Sequence, residues 1–178
     1  MVNMICTQTL KQVICTIHTV VISLYMEHST ARVRVMVLTM FAVSSLLQKA
    51  NINQIVDSYG IPHYRISFEF TERVLIEHLD EAKKNMQRLT ESGYTFYLDD
   101  FGVGYSNFNC VLQLPLRTVK LDMSLTSSSA MENDDYGLVG ILTDLFHNMG
   151  LKVVAEGAET DEQVKTLIKY GVDGIQGY

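Results

Sequence analysis

Apolar and polar positions switch along the chain between a two-residue and a helical spacing, which predicts strands and helices in turn. Residues 13–26 are mostly apolar and predict an amphipathic or buried helix, which the polar residues 27–30 break. A valine-rich run over 32–44 predicts a strand. A helix over 46–59 follows, with Ile52, Ile55, Val56 and Tyr59 at helical spacing and Gly60 and Pro62 at its end. Residues 64–70 alternate as a strand does. The next helix carries Leu75, Leu79, Ala82, Met86 and Leu89 on one stripe and Glu77, Glu81, Lys84 and Arg88 away from it, and Gly93 closes it. Thr95 to Leu98 suit a buried strand, which ends in Asp99 and Asp100 and a loop bent by Gly102 and Gly104. A short helix over 107–112, a strand over 118–122, a polar loop over 126–135 and a helix over 138–149 come next. A strand over 152–156, a helix opened by the capping-box pair Thr160 and Gln163, and a last strand over 172–176 complete the order.

Strand and helix in strict alternation imply an α/β fold with a parallel sheet and outer helices, and about six strands can be counted. With 178 residues and 47% hydrophobic side chains, the chain can fill one sizeable core, and no subdomain boundary is visible. The expected organisation is one domain over 1–178, with an N-terminal helix in 1–30 and barrel strands and helices over 31–178. A net charge of -6 argues against a general nucleic-acid binder, which needs a basic face. Cys6, Cys15 and Cys110 are odd in number and lack CxxC spacing, as expected of reduced thiols in the cytoplasm. The apolar run at 13–26 is interrupted by Thr16, His18, Thr19 and Ser23 and is too short for a membrane span. It also lacks the basic start and cleavage site of a signal peptide.

The chemistry centres on Asp99 and Asp100. Adjacent carboxylates at a strand end repel unless a cation sits beside them, so the pair suggests a divalent-metal site. Taken alone, the pair is equally consistent with solvated loop acids and a helix N-cap. Glu69, Asp99 with Asp100, Lys120, Glu156 and Gln176 each fall near the C-terminal part of a different predicted strand. In a parallel β/α barrel those ends meet at one mouth, where carboxylates bind hard cations and a lysine can support a reacting water or phosphoryl oxygen. Individually, Glu72 could start a helix, Lys120 could be a snorkelling strand-end lysine and Gln176 a satisfied terminal amide. His18, His28, His63, His78 and His147 show no paired ligand spacing and are assigned to surface or core.

The segments EFTE at Glu69 to Glu72, DDFGVGYS at Asp99 to Ser106, LPLRTVKLD at Leu114 to Asp122, VVAEGAET at Val153 to Thr160 and QGY at Gln176 to Tyr178 resemble the EAL family in order and spacing, from roughly Phe41 onward. The resemblance implies a modified TIM-type (β/α) barrel, here incomplete, and hydrolysis of the bacterial second messenger cyclic di-GMP to pGpG with magnesium or manganese. By resemblance Glu69, Asp99 and Asp100 match metal ligands, Glu156 a further acid of the metal and water site, and Lys120 the lysine near the attacking water. Asp122 and Glu159 match supporting acids, and Gln176 a polar residue of the mouth. Glu72 matches the residue that steadies the loop over 102–107, which in the family couples dimerisation to metal binding.

Two family signatures are missing. The chain has no EAL tripeptide, whose glutamate is a metal ligand, and it is expected to start after that strand. Where the family has an Asn-x-Ser, the aligned residues are Ala42, Val43 and Ser44, and alanine has no donor oxygen. Losing two ligand oxygens should weaken one metal position. Six strands should also leave the barrel open, with poor solubility as an isolated monomer or closure by a second copy, a partner chain or a rearranged N-terminal helix. The expectation is an EAL-type phosphodiesterase homologue impaired or inactive as an isolated chain, the alternative being a non-catalytic module that binds cyclic di-GMP or protein.

Overall fold

The computed structural model of the protein describes residues 33–37, 52–58, 60–72, 75, 79–103, 108–126 and 137–177. The helix expected over 13–26, Ala42 to Ser44 and the polar loop beyond Thr126 lie outside the described residues. The elements run β1 (Val33–Val37), α1 (Ile52–Ser58), β2 (Ile66–Thr71), α2 (Leu79–Glu91), β3 (Thr95–Phe101), α3 (Phe108–Gln113), β4 (Thr118–Leu121), α4 (Met123–Thr126), α5 (Leu138–Asn148), β5 (Lys152–Ala158), α6 (Asp161–Lys169) and β6 (Gly174–Gly177). Every strand pairing described is parallel, as the alternation of strand and helix requires. The chain forms two compact units, Met1–Phe96 and Tyr97–Tyr178, divided within β3.

In the first unit, β1 pairs with β2 from Val33 opposite Ile66 to Val37 opposite Phe70. β2 is buried continuously from Ile66 to Phe70, the pattern of a strand covered on both faces. Phe68 lies 5.4 Å from Tyr94 and 5.6 Å from Phe96 between ring centroids, and Phe70 lies 6.0 Å from Phe96. The start of β3 is further fixed to β2 by a 2.7 Å hydrogen bond between the Ser67 and Thr95 hydroxyls. α2 buries Ala82, Met86 and Leu89 of the stripe visible in the sequence, and Asn85 besides, and each large apolar side chain so buried contributes about 1.5–3 kcal/mol. Gly93, at φ 100°, ends the helix as expected.

Tyr64 departs from the expected strand. Pro62 fixes an extended residue, Arg65 N donates to Pro62 O at 3.0 Å, and His63–Arg65 form a single 3-10 turn instead. His63 locks that turn: its Nδ1 donates to Ser92 O at 2.9 Å, its Nε2 lies 2.9 Å from Asp57 Oδ1, and its ring stacks on Tyr94. Tyr64 is left 61% exposed, so the strand begins at Ile66.

In the second unit, β3, β4, β5 and β6 pair in that order. Phe101, Phe108 and Phe146 form an aromatic cluster with centroids 5.1–6.1 Å apart, which fastens α3 and α5 to β3. The capping box of α6 is present: Gln163 N donates to Thr160 Oγ1 at 3.2 Å and Thr160 N donates to Gln163 Oε1 at 2.9 Å.

Asp173 ties three elements at the start of β6. Its Oδ2 accepts from Val153 N at 2.8 Å and from His147 Nε2 at 2.9 Å, and Lys152 Nζ lies 3.7 Å from Oδ1. Burial opposes ionisation here, but the Val153 amide, His147 and Lys152 outweigh it and hold the carboxyl below the ordinary aspartate range. A depressed folded pKa contributes stability above the unfolded value, and that stability disappears as pH falls through the folded one. Asp173→Asn is therefore expected to lower the melting temperature by a few degrees at pH 7, with the gap narrowing below about pH 4, the ordinary aspartate range. Thermal melts of both proteins across that range check it, and a gap that persists unchanged in acid contradicts it.

Candidate metal centre

Successive side chains of a regular strand point to opposite faces, so Asp99 and Asp100 should diverge. A β-bulge prevents this. Leu98 pairs with Val119 and Phe101 with Leu121, so two residues of β3, Asp99 and Asp100, stand opposite one residue of β4, Lys120. Asp100 takes up the extra length in the left-handed region, at φ 56°, which aspartate tolerates better than most side chains. Both carboxylates are thereby gathered on one side: oxygens of Asp99, Asp100 and Glu156 all lie within 4.8 Å of one another.

Lys120 is buried between them. Its Nζ donates to Asp99 Oδ1 at 2.6 Å and lies 2.6 Å from Glu156 Oε1, with the Lys120 and Asp99 side chains each 5% exposed. One ammonium thus bridges two of three crowded acids. Burial first, then the charges of Asp99, Glu156 and Asp122, raise the Asp100 pKa above the ordinary range, and Lys120 only partly opposes them. Three converging carboxylate oxygens with surplus negative charge suit a hard divalent cation.

A second bulge shapes β5. Glu156 pairs with Gln176 and Ala158 with Gly177, leaving Gly157 as the extra residue at φ 75°. α4 seats on both irregular strands. A side chain at Gly157 would collide with Met123 and one at Gly102 with Leu125, and Asp122 N donates to Phe101 O at 3.0 Å.

The structure therefore brings together Asp99, Asp100, Lys120 and Glu156, and sets Gln176 beside Glu156 across the β5–β6 ladder. Asp122 lies just past β4, where its Oδ1 accepts from Ser124 N at 2.8 Å while its charge acts on Asp100. Glu159 is exposed beyond β5, with its backbone N donating to Gln163 Oε1. In the first unit, Glu69 is buried on β2 opposite Met36 of β1, and Glu72 is buried just past the end of that strand. α4 is not among the elements expected from the sequence, which leave 123–125 unassigned and open a loop at Thr126. The isolated Gly157 in an apolar run was the available signal for the β5 bulge.

Parallel strands with intervening helices, whose strand ends gather acids around a lysine, place the chain in the class of (β/α)-barrel-type domains. The EAL domain profile matches residues 9–178, and the chain belongs to the EAL domain family. The match begins well upstream of Phe41, where the recognisable motifs start. The oxygen sensor protein DosP of Escherichia coli K12 is 35% identical over 129 residues, covering 71% of this chain and 16% of DosP. The cyclic di-GMP phosphodiesterase PdeL of the same organism is 33% identical over 124 residues, 70% of this chain and 34% of PdeL. The solved complex of the PaMucR phosphodiesterase with c-di-GMP superposes with a TM-score of 0.73 at 26% identity, over 84% of this chain and 66% of that one. The chain thus spans a sixth to a third of these two curated relatives. Among the described residues, no helix is long and apolar enough to cross a membrane.

Proposed function

We propose that this chain carries a cyclic di-GMP phosphodiesterase-type site of low turnover, built on Asp99, Asp100, Glu156 and Lys120. The observation that carries the reading is the convergence of three carboxylate oxygens within 4.8 Å around a buried lysine, on the residues that the EAL resemblance singles out. Magnesium or manganese held by these oxygens would supply Lewis acidity toward water and a phosphodiester. Asp99 and Asp100 present their carboxylates together because of the β3 bulge, and Glu156 adds the third from β5. Lys120 holds its ammonium where it can donate to a water or a phosphoryl oxygen, and Asp122 adds negative charge beside Asp100. Gln176 and Glu159 are assigned to the substrate side of the mouth, and Glu69 is assigned as a further metal ligand. Glu72 is assigned to steadying the loop that follows Gly102.

Turnover is low on this reading because Ala42 offers no donor oxygen where the family has asparagine. The same observation favours binding of cyclic di-GMP without hydrolysis as the second reading. On this reading the protein acts in the cytoplasm, where its thiols, including buried Cys110, stay reduced, and it packs against a second copy or a partner chain. Calorimetric titration with cyclic di-GMP in Mn2+, with chromatographic detection of pGpG, tests the proposal. Binding with slow hydrolysis is expected, and Asp99→Ala should abolish the hydrolysis. Rapid turnover by the wild type overturns the low-activity reading, and neither binding nor turnover overturns the site itself.

A further inference from the structure

β4 ends before β5 does. Their register runs from Thr118 opposite Lys152 to Leu121 opposite Ala155, so Glu156 lies one residue beyond the last described β4 partner. The Gly157 bulge then shifts β5 against β6 at the same point. A backbone carbonyl left without a strand partner at such a break can accept from another donor. Here Glu156 O accepts from Thr126 Oγ1. Thr126 is 0% exposed, so water cannot readily replace its hydroxyl. The same hydroxyl lies 3.3 Å from Met123 O within α4. α4 itself is located by Met123 against Gly157 and Leu125 against Gly102.

From this arrangement we infer that Thr126 is a positioning residue for Glu156: its hydroxyl continues the hydrogen bonding that β4 no longer supplies and so sets where the Glu156 carboxylate stands relative to Asp99 and Asp100. The inference rests on the metal-binding reading above. Hydrogen bonds that orient metal ligands from outside typically alter affinity by about 10-fold or more when removed, and Thr126 acts one step back, on the Glu156 backbone. Thr126→Val keeps the shape and removes the donor, whereas Thr126→Ser keeps the donor.

Isothermal titration of the full chain with Mn2+ tests it, with circular dichroism confirming that each variant is folded. Thr126→Val is expected to bind Mn2+ about 10-fold more weakly than wild type, and Thr126→Ser to bind like wild type. If Thr126→Val does not fold, Thr126→Ala serves in the same titration with the same expected loss. Equal Mn2+ affinity in wild type and the hydroxyl-free variant overturns the role of Thr126 and leaves the metal site standing. A serine variant as weak as the valine variant also overturns it, since shape and not the hydrogen bond would then decide. No Mn2+ binding by the wild type removes the metal reading and this inference together.

Discussion

Asp100→Asn is expected to raise the melting temperature of the metal-free protein by a few degrees and to remove its stabilisation by Mn2+. Burial and the charges of Asp99, Glu156 and Asp122 raise the pKa of this carboxyl, so the fold favours its neutral form. The stability contributed by the neutral form is complete below the ordinary aspartate range and is lost as pH rises through the folded value. At neutral pH the ionised side chain therefore works against the fold, and an uncharged amide relieves the repulsion. Asparagine also tolerates the left-handed backbone at φ 56°. The gain over wild type should open as pH rises from the ordinary aspartate range toward neutrality. With saturating Mn2+ the order should reverse, because only a chain that binds the ion gains stability from it. Melts with and without Mn2+ at several pH values measure both effects. A variant that melts below wild type without metal, or that still responds fully to Mn2+, contradicts this account of Asp100.

That trade between stability and binding is partly legible in the sequence. Adjacent aspartates after Thr95–Leu98 identify a strand end with unbalanced charge, and the capping box of Thr160 and Gln163 is encoded within four residues, so both are visible locally. The bulges are different. Whether two residues of β3 oppose one of β4 depends on the neighbouring strand, and nothing within the run Tyr97 to Phe101 states it. α4 escaped for the same reason. A helix of four residues, Met123–Thr126, gains little from intrinsic propensity and is held by the space above Gly102 and Gly157 and by the Thr126 hydrogen bond. Tyr64 was misplaced because an aromatic residue before an apolar run suits a strand, while the turn that holds it is fixed by Asp57 and Ser92. The family match upstream of Phe41 was hidden where apolar residues carry the pattern without a distinctive polar motif.

Lys120→Met is expected to cause the largest loss of stability and, at the same time, the largest rescue by metal. The Lys120 ammonium lies 2.6 Å from both Asp99 Oδ1 and Glu156 Oε1, and the Asp99 side chain is only 5% exposed. Removing one partner of such a buried ionic cluster leaves uncompensated carboxylates and typically costs about 3–5 kcal/mol. For a chain of this size that corresponds to a fall in melting temperature of roughly 10 °C. Methionine fills a similar volume, so the loss would come mainly from charge rather than from a cavity. The same substitution makes the carboxylate cluster more negative by one unit charge and removes the ammonium that bridges two of its oxygens. Mn2+ should consequently bind more tightly to the variant than to wild type and raise its melting temperature by more, as selective binding to the folded state requires. Lys120→Arg, which keeps the charge, should behave much closer to wild type without metal. If Lys120→Met melts within 2 °C of wild type, a shift of under about 1 kcal/mol, and gains no more from Mn2+, the lysine is not the internal counter-cation of this cluster. The crowding of Asp99, Asp100 and Glu156 must then be balanced by other groups.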